Sequence, residues 1–205
     1  MSALLRQVDD ASRADHAYLE PTDTVFYLRE YTSHRGWSFG ETNSLISNLK
    51  KPMDLAGTSQ WPYKERAISQ CAQDLQQTVQ AQGSYTWVPV PPSKAPDDPL
   101  YDDRLVRVLR QAFPLDDVRE LVFQPSSTTA SHTTGQSKPP PGQLAAGYRV
   151  NTSLGVPQPA VVVFDDILTT GSHFKAMQRT LVQAFPGIEV YGLFIARRVF
   201  PDDQG

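Results

Sequence analysis

Apolar positions along this chain change their period after Gly83. Before it they recur at helical spacing: Ile68, Cys71, Leu75 and Val79 make one stripe of a helix expected over Tyr63–Gln82. Thr42–Lys50 reads as a shorter capped helix, and Thr24–Tyr31 fits either a strand or the start of a helix. From Tyr85 the spacing shortens. Tyr85-Thr-Trp-Val-Pro-Val-Pro predicts a strand stopped by Pro91-Pro92, and an amphipathic helix is expected from about Asp103 to Phe113. Val118–Phe123 predicts a second strand. Pro159–Phe164 is an unbroken apolar run, as expected of a central parallel strand covered on both faces. A helix over Ser172–Phe185 and a strand over Glu189–Ala196 complete the series.

Strands alternating with helices imply an α/β fold with a mainly parallel sheet and right-handed connections, in which ligands gather at the carboxyl ends of the strands. Residues 1–83 are expected to form an N-terminal helical or mixed lobe packed on a core of residues 84–205. Within the core, Pro125–Gly142 is rich in Ser, Thr, Gly and Pro and contains Pro139-Pro140-Pro141. Its length and polarity predict an unpacked loop, functional or mobile.

Composition narrows the picture. A chain of 205 residues, 40% hydrophobic and 20% charged, is of single-domain size and globular composition. A net charge of −3 does not indicate nucleic-acid binding, which needs a basic face; a local basic patch is the one form it could take here. The one cysteine, Cys71, can make no internal disulfide and lies in a helical run, so a buried, inert thiol is expected. Met1–Asp15 has no apolar run of signal-peptide length, and no stretch approaches the ~18 apolar residues of a membrane span. The expected location is the cytoplasm, with no membrane association; a homodimer or a protein partner is left open.

The chemistry concentrates in Val161-Val-Val-Phe-Asp165-Asp166-Ile-Leu-Thr169-Thr170-Gly171-Ser172. Two carboxylates at the end of a buried strand are followed by hydroxyl residues and glycine at the head of a helix. Backbone N–H groups of Thr169–Ser172 and the helix dipole make an anion cradle, and Gly171 permits close approach of a phosphate. Carboxylates beside a phosphate site are useful if they accept hydrogen bonds from sugar hydroxyls, so a ribose 5-phosphate satisfies both halves. Without a ligand, the same residues would only end a strand and cap a helix.

This run resembles the 5-phosphoribosyl-1-pyrophosphate (PRPP) motif of type I phosphoribosyltransferases: a hydrophobic strand, Asp-Asp, two residues, Thr-Thr-Gly. The resemblance implies the type I phosphoribosyltransferase fold, with Asp165 and Asp166 as catalytic-site residues holding the ribose 2- and 3-hydroxyls. It implies that Thr169, Thr170, Gly171 and Ser172 hold the 5-phosphate, and that Mg²⁺ arrives with PRPP. Ser93 and Lys94 occupy the place of the family's pyrophosphate loop, although Asp97, Asp98, Asp102 and Asp103 follow closely; Lys94 could equally be a solvated lysine, and Arg104 is similarly ambiguous. Residues 124–147 fall where the family has a flexible loop that closes over PRPP, with Ser131, His132, Thr133, Thr134, Gln136 and Lys138 as polar candidates. The chain departs from the family's pattern at His173 and Phe174, where a further hydroxyl residue commonly stands. Trp37 and Phe39, in Arg35-Gly-Trp-Ser-Phe-Gly40, could stack on an acceptor base or pack on the core, and packing is expected. The function implied is transfer of phosphoribosyl to a nitrogen acceptor with release of pyrophosphate. The alternative is a catalytically silent PRPP- or nucleotide-binding regulator or effector, of the kind linked to DNA uptake or defence.

Overall fold

In a computed structural model, residues 3–79, 84–128 and 139–201 are described. A short strand β1 (Arg6–Gln7), a single helical turn α1 (Asp10–Arg13) and strand β2 (Val25–Thr32) open the chain. Helices α2 (Glu41–Leu49) and α3 (Trp61–Thr78) follow, then β3 (Tyr85–Pro89), α4 (Arg104–Ala112), β4 (Asp117–Val118) and β5 (Val122–Phe123). The last third holds α5 (Pro141–Gly147), β6 (Arg149–Val150), β7 (Ala160–Leu168), α6 (Ser172–Ala184) and β8 (Glu189–Val199). Six strands form one sheet in the order β1-β2-β8-β7-β3-β4, parallel throughout except for β1. The fold is therefore α/β, with a mostly parallel central sheet flanked by helices. Strands from both sides of residue 84 share this sheet, because β2, which the sequence leaves between strand and helix, pairs with β8 from Val25 to Thr32.

Handedness decides which face each helix covers. The steps from β3 to β4 and from β2 to β3 run toward one edge, whereas the step from β7 to β8 runs toward the other. Right-handed crossovers in opposite directions put α2, α3 and α4 on one face and α6 on the other. The packing agrees: α4 lies on β3, β4 and β7, α3 on α2 and α4, and α6 on β7, β8 and α5. The core between these layers is aliphatic and aromatic, with Val161, Val163, Phe164, Phe174, Phe194 and Ile195 fully buried. Cys71 lies in it, and burial pushes its thiol well above the usual range, so it is inert at neutral pH.

Three elements differ from the sequence expectation. Val118–Phe123 is two strands, not one. Arg119 N–H makes the last bond to β3, at Trp87 O, the Glu120 carboxylate then accepts from the Tyr101 hydroxyl, and β5 pairs antiparallel with β6 in a separate ribbon. Strand β8 continues past Ala196 to Val199, because Arg197 pairs with Glu30 on the neighbouring strand and keeps the ladder intact. The stretch 124–147 is packed at both described ends. Pro141 starts α5, where its missing N–H costs nothing, and α5 lies on α6; Gln124 and Thr128 bond the chain that follows β3.

Candidate functional site

Strands β3 and β7 are neighbours, with Val88 opposite Val163 and Pro89 opposite Phe164. Their onward connections diverge to opposite faces, so their carboxyl ends border the one place in the sheet where the winding reverses. A crevice at such a switch point is where open α/β sheets bind ligands. The topology brings Ser93 and Lys94, on the chain leaving β3, and Thr169–Ser172, on the chain leaving β7, to this edge.

The two carboxylates do not end their strand; β7 runs through them to Leu168. Side chains alternate along a strand, so Asp165 and Asp166 point to opposite faces. Asp166 shares the face of α2 and α4 and is buried, its Oδ1 2.9 Å from Lys50 Nζ and its Oδ2 2.7 Å from Arg104 Nη2. Those two cations hold its carboxyl far below the usual carboxylate range against the opposing cost of burial. Asp165 lies on the α6 face near Tyr148 and accepts a hydrogen bond from the Asp166 backbone N–H at 2.7 Å. Burial, reinforced by the neighbouring Asp166 charge, pushes its carboxyl well above the usual range. One carboxylate is thus consumed by the protein, while the other meets no cation at ion-pair distance among the described residues.

The loop after β7 is held from the N-terminal side. His16, buried, bonds through Nδ1 to the Thr169 carbonyl, and the Tyr18 N–H donates to the Thr170 carbonyl at 2.9 Å. With both carbonyls turned toward residues 16–18, the N–H groups opening the first turn of α6, which have no carbonyl within the helix, are the donors this loop can offer. Thr170 Oγ1 donates to the buried Ser172 Oγ at 3.3 Å. Gly171 has φ +82°, and a Cβ there would lie 2.9 Å from Leu19 Cδ2. Gly171→Ala is therefore expected to lower stability by about 1–2 kcal/mol through the left-handed backbone alone, and more through Leu19; chemical denaturation of the variant against the parent measures it. Lys175, one turn into α6, bonds Glu20 and Asp23 and fastens the same N-terminal segment to the helix.

The chain after β3 is fixed differently. Ser93 O accepts from the Thr128 N–H at 2.7 Å and Pro92 O accepts from Gln124 Nε2 at 2.9 Å. Lys94 Nζ stands 3.9 Å from Asp98, whose carboxyl is lowered chiefly by the Ser127 hydroxyl. Ser131, His132, Thr133, Thr134, Gln136 and Lys138 lie outside the described residues. His173 Nδ1 contacts the Tyr148 hydroxyl at 3.1 Å, directing the ring toward α5. Phe174 is a core residue: its ring lies against Gly192 on β8, where a Cβ would come within 3.0 Å of it. A hydroxyl residue at 174 would be buried in that contact. Trp37 and Phe39 do not pack on the core as expected; they are 68% and 55% exposed, with Arg35 5.5 Å over the Phe39 ring.

Sequence reading overlooked Lys50, Lys64, His16 and Tyr148, and left Arg104 ambiguous. Lys64 carried a signal, since it falls on the stripe of Ile68, Cys71 and Leu75 at helical spacing, where a lysine is out of place unless partnered. Lys50, a charged residue at a helix end, carried none. Among the described residues no group of three or more His, Cys, Asp or Glu side chains could hold a metal ion. No helix among them is long and apolar enough to cross a membrane. No protein-family model matches the chain and no curated protein matches it, so the functional reading rests on the switch-point geometry.

Proposed function

We propose that this chain is a phosphoribosyltransferase-like protein of the type I fold. On this reading it binds PRPP with Mg²⁺ at the β3–β7 crevice and transfers the phosphoribosyl group to a nitrogen acceptor. The observation that carries the reading is the pairing, at one topological switch point, of the Asp165 carboxylate with the loop and helix head Thr169–Ser172. The loop takes the 5-phosphate and Asp165 accepts from a ribose hydroxyl.

In the transfer, the acceptor nitrogen forms a bond to C1 as the C1–oxygen bond to pyrophosphate breaks, and the pyrophosphate leaves with that electron pair. No protein nucleophile is required. The chain's residues hold the sugar, orient C1 and neutralise the departing charge. Mg²⁺ arriving with PRPP would offset the charge of the departing pyrophosphate, and Asp165, which meets no cation at ion-pair distance among the described residues, would be the carboxylate that faces it.

Titration calorimetry with PRPP and Mg²⁺ tests the reading, with Asp165→Asn as the critical variant. We expect binding by the parent and none by Asp165→Asn, while the variant unfolds at the same or a higher temperature at pH 8. The sign follows from linkage: a carboxyl whose folded pKa is raised destabilises the folded state increasingly as the pH rises from the unfolded pKa through the folded one, and the amide removes this cost. Undiminished affinity in Asp165→Asn would sink the proposal.

A second reading, binding without transfer, is favoured by the loop after β3. There the one cation, Lys94, faces Asp98, and the loop is tied to Gln124 and Thr128. Pyrophosphate release that depends on an added nucleobase or other nitrogen acceptor would reject this second reading.

A further inference from the structure

The geometry points to Lys50 as the cation that receives the pyrophosphate of the ligand, with Lys64, Asp102, Arg104 and Asp166 as positioning residues that hold it at the crevice. The inference rests on the reading of this crevice as a PRPP site.

Lys50 follows the last residue of α2. The carbonyls on either side of it, those of Leu49 and Lys51, both accept from Lys64 Nζ, at 2.9 and 2.8 Å. Lys64 is fully buried on α3 and spends its third donor on Asp102 Oδ2 at 2.8 Å. Asp102 Oδ2 also accepts from Arg104 Nη1 at 2.7 Å; Arg104 Nη2 reaches Asp166 Oδ2, and Asp166 Oδ1 returns to Lys50 Nζ. The network closes on itself, gripping the Lys50 backbone at one end and its ammonium at the other. Burying a lysine is expensive unless its charge is fully partnered, and here that burial immobilises one turn of chain around one residue.

Charge and exposure single out the same residue. Within the network of ion pairs three cations, Lys50, Lys64 and Arg104, stand against two carboxylates, Asp102 and Asp166, and the remaining positive charge is offset by neighbouring Asp165 only where that raised carboxyl is ionised. Side-chain exposure is 0% at Lys64, 5% at Asp166, 13% at Asp102, 18% at Arg104 and 28% at Lys50. The excess charge is presented at the most open member. Asp166 occupies one of the three Lys50 donors, and among the described residues no other carboxylate stands at ion-pair distance from that side chain. Arg104 is pinned on both sides and acts through Asp166. Lys94, on the other side of the crevice, faces Asp98. A doubly charged phosphate group beside Asp166 would take the free donors of Lys50 without disturbing the ion pair that orients it.

Calorimetric titration of the full chain with magnesium pyrophosphate, ribose 5-phosphate and PRPP, for the parent, Lys50→Gln, Lys50→Met and Lys50→Arg, decides the matter. We expect both neutral variants to lose about tenfold or more in pyrophosphate and PRPP affinity. Ribose 5-phosphate affinity stays at the parent value, and Lys50→Arg recovers most of the loss. Lys50→Gln keeps a hydrogen-bond donor toward Asp166, so it reports on charge even if Lys50→Met fails to fold. Equal loss for all three ligands, or none, while the parent binds PRPP, would overturn the role of Lys50 and leave the PRPP reading standing. Pyrophosphate binding that depends on Lys50, without binding of ribose 5-phosphate or PRPP, would support the cation site and reject the PRPP reading. Failure of the parent to bind any of the three would reject both.

Discussion

Asp166→Ala lowers the free energy of unfolding by about 3 kcal/mol and weakens pyrophosphate binding without removing it. Removing one partner of a buried ion pair costs about 3–5 kcal/mol, because the opposite charge is left in low dielectric. The lower end is expected here for two reasons. Arg104 keeps Asp102 as a partner, and Lys50 is open enough to rehydrate. Asp166→Asn, which keeps the shape and can still accept from one cation, falls between the variant and the parent. The dependence on pH has a definite sign. The folded pKa of Asp166 is lowered, so its contribution is present above the unfolded carboxylate pKa and is lost as the pH falls through the folded one. Urea titrations at neutral and strongly acidic pH measure both effects. A loss below ~1 kcal/mol at neutral pH would mean that the network is solvated and does not hold Lys50.

Phe174→Ala produces a loss of similar size by another route. The ring is completely buried in the first turns of α6 and lies on Gly192, with no side chain on that strand position to fill the space it vacates. A cavity of this kind costs about 3–5 kcal/mol, whereas Phe174→Leu, which leaves a smaller void, costs about 1–2 kcal/mol. The position gives the change a functional consequence. Phe174 stands three residues after Gly171, so its anchor sets where the loop Thr169–Ser172 sits on the sheet. Ligand affinity is expected to fall with stability in Phe174→Ala and to be largely retained in Phe174→Leu. Denaturation and PRPP titration on the same samples compare the two. A Phe174→Ala protein as stable as the parent would show that the site collapses onto Gly192, and the anchoring role would then be withdrawn.

The described ends of the stretch 124–147 show how a correct local observation can mislead. Its prolines and hydroxyl residues argue for a long unpacked loop, but Pro141 is as good a helix start as a helix stop, and α5 uses it as the former. Likewise, Trp37 and Phe39 are apolar in sequence and exposed in space. Residue type fixes neither outcome, because both depend on which surface is nearby to receive the side chain.

The sequence by itself determined the α/β class, the parallel core strands, the helix that follows Gly171, and the run of carboxylates and hydroxyl residues at a strand-to-helix turn. These are local properties: apolar runs, proline stops and a left-handed glycine act within a few residues of themselves. Tertiary structure alone decided that Asp165 and Asp166 have different fates. Their sidedness follows from the strand continuing to Leu168, and the ion pairs of Asp166 come from Lys50, 116 positions earlier, and Arg104, 62 positions earlier. It also decided that residues 16–19 support the loop after β7 and that Lys64 fixes the turn around Lys50. Such contacts depend on charges meeting across layers of the fold, where a pairing is worth forming only once burial has removed the competing water, and no local pattern in the chain records which distant residue will be there.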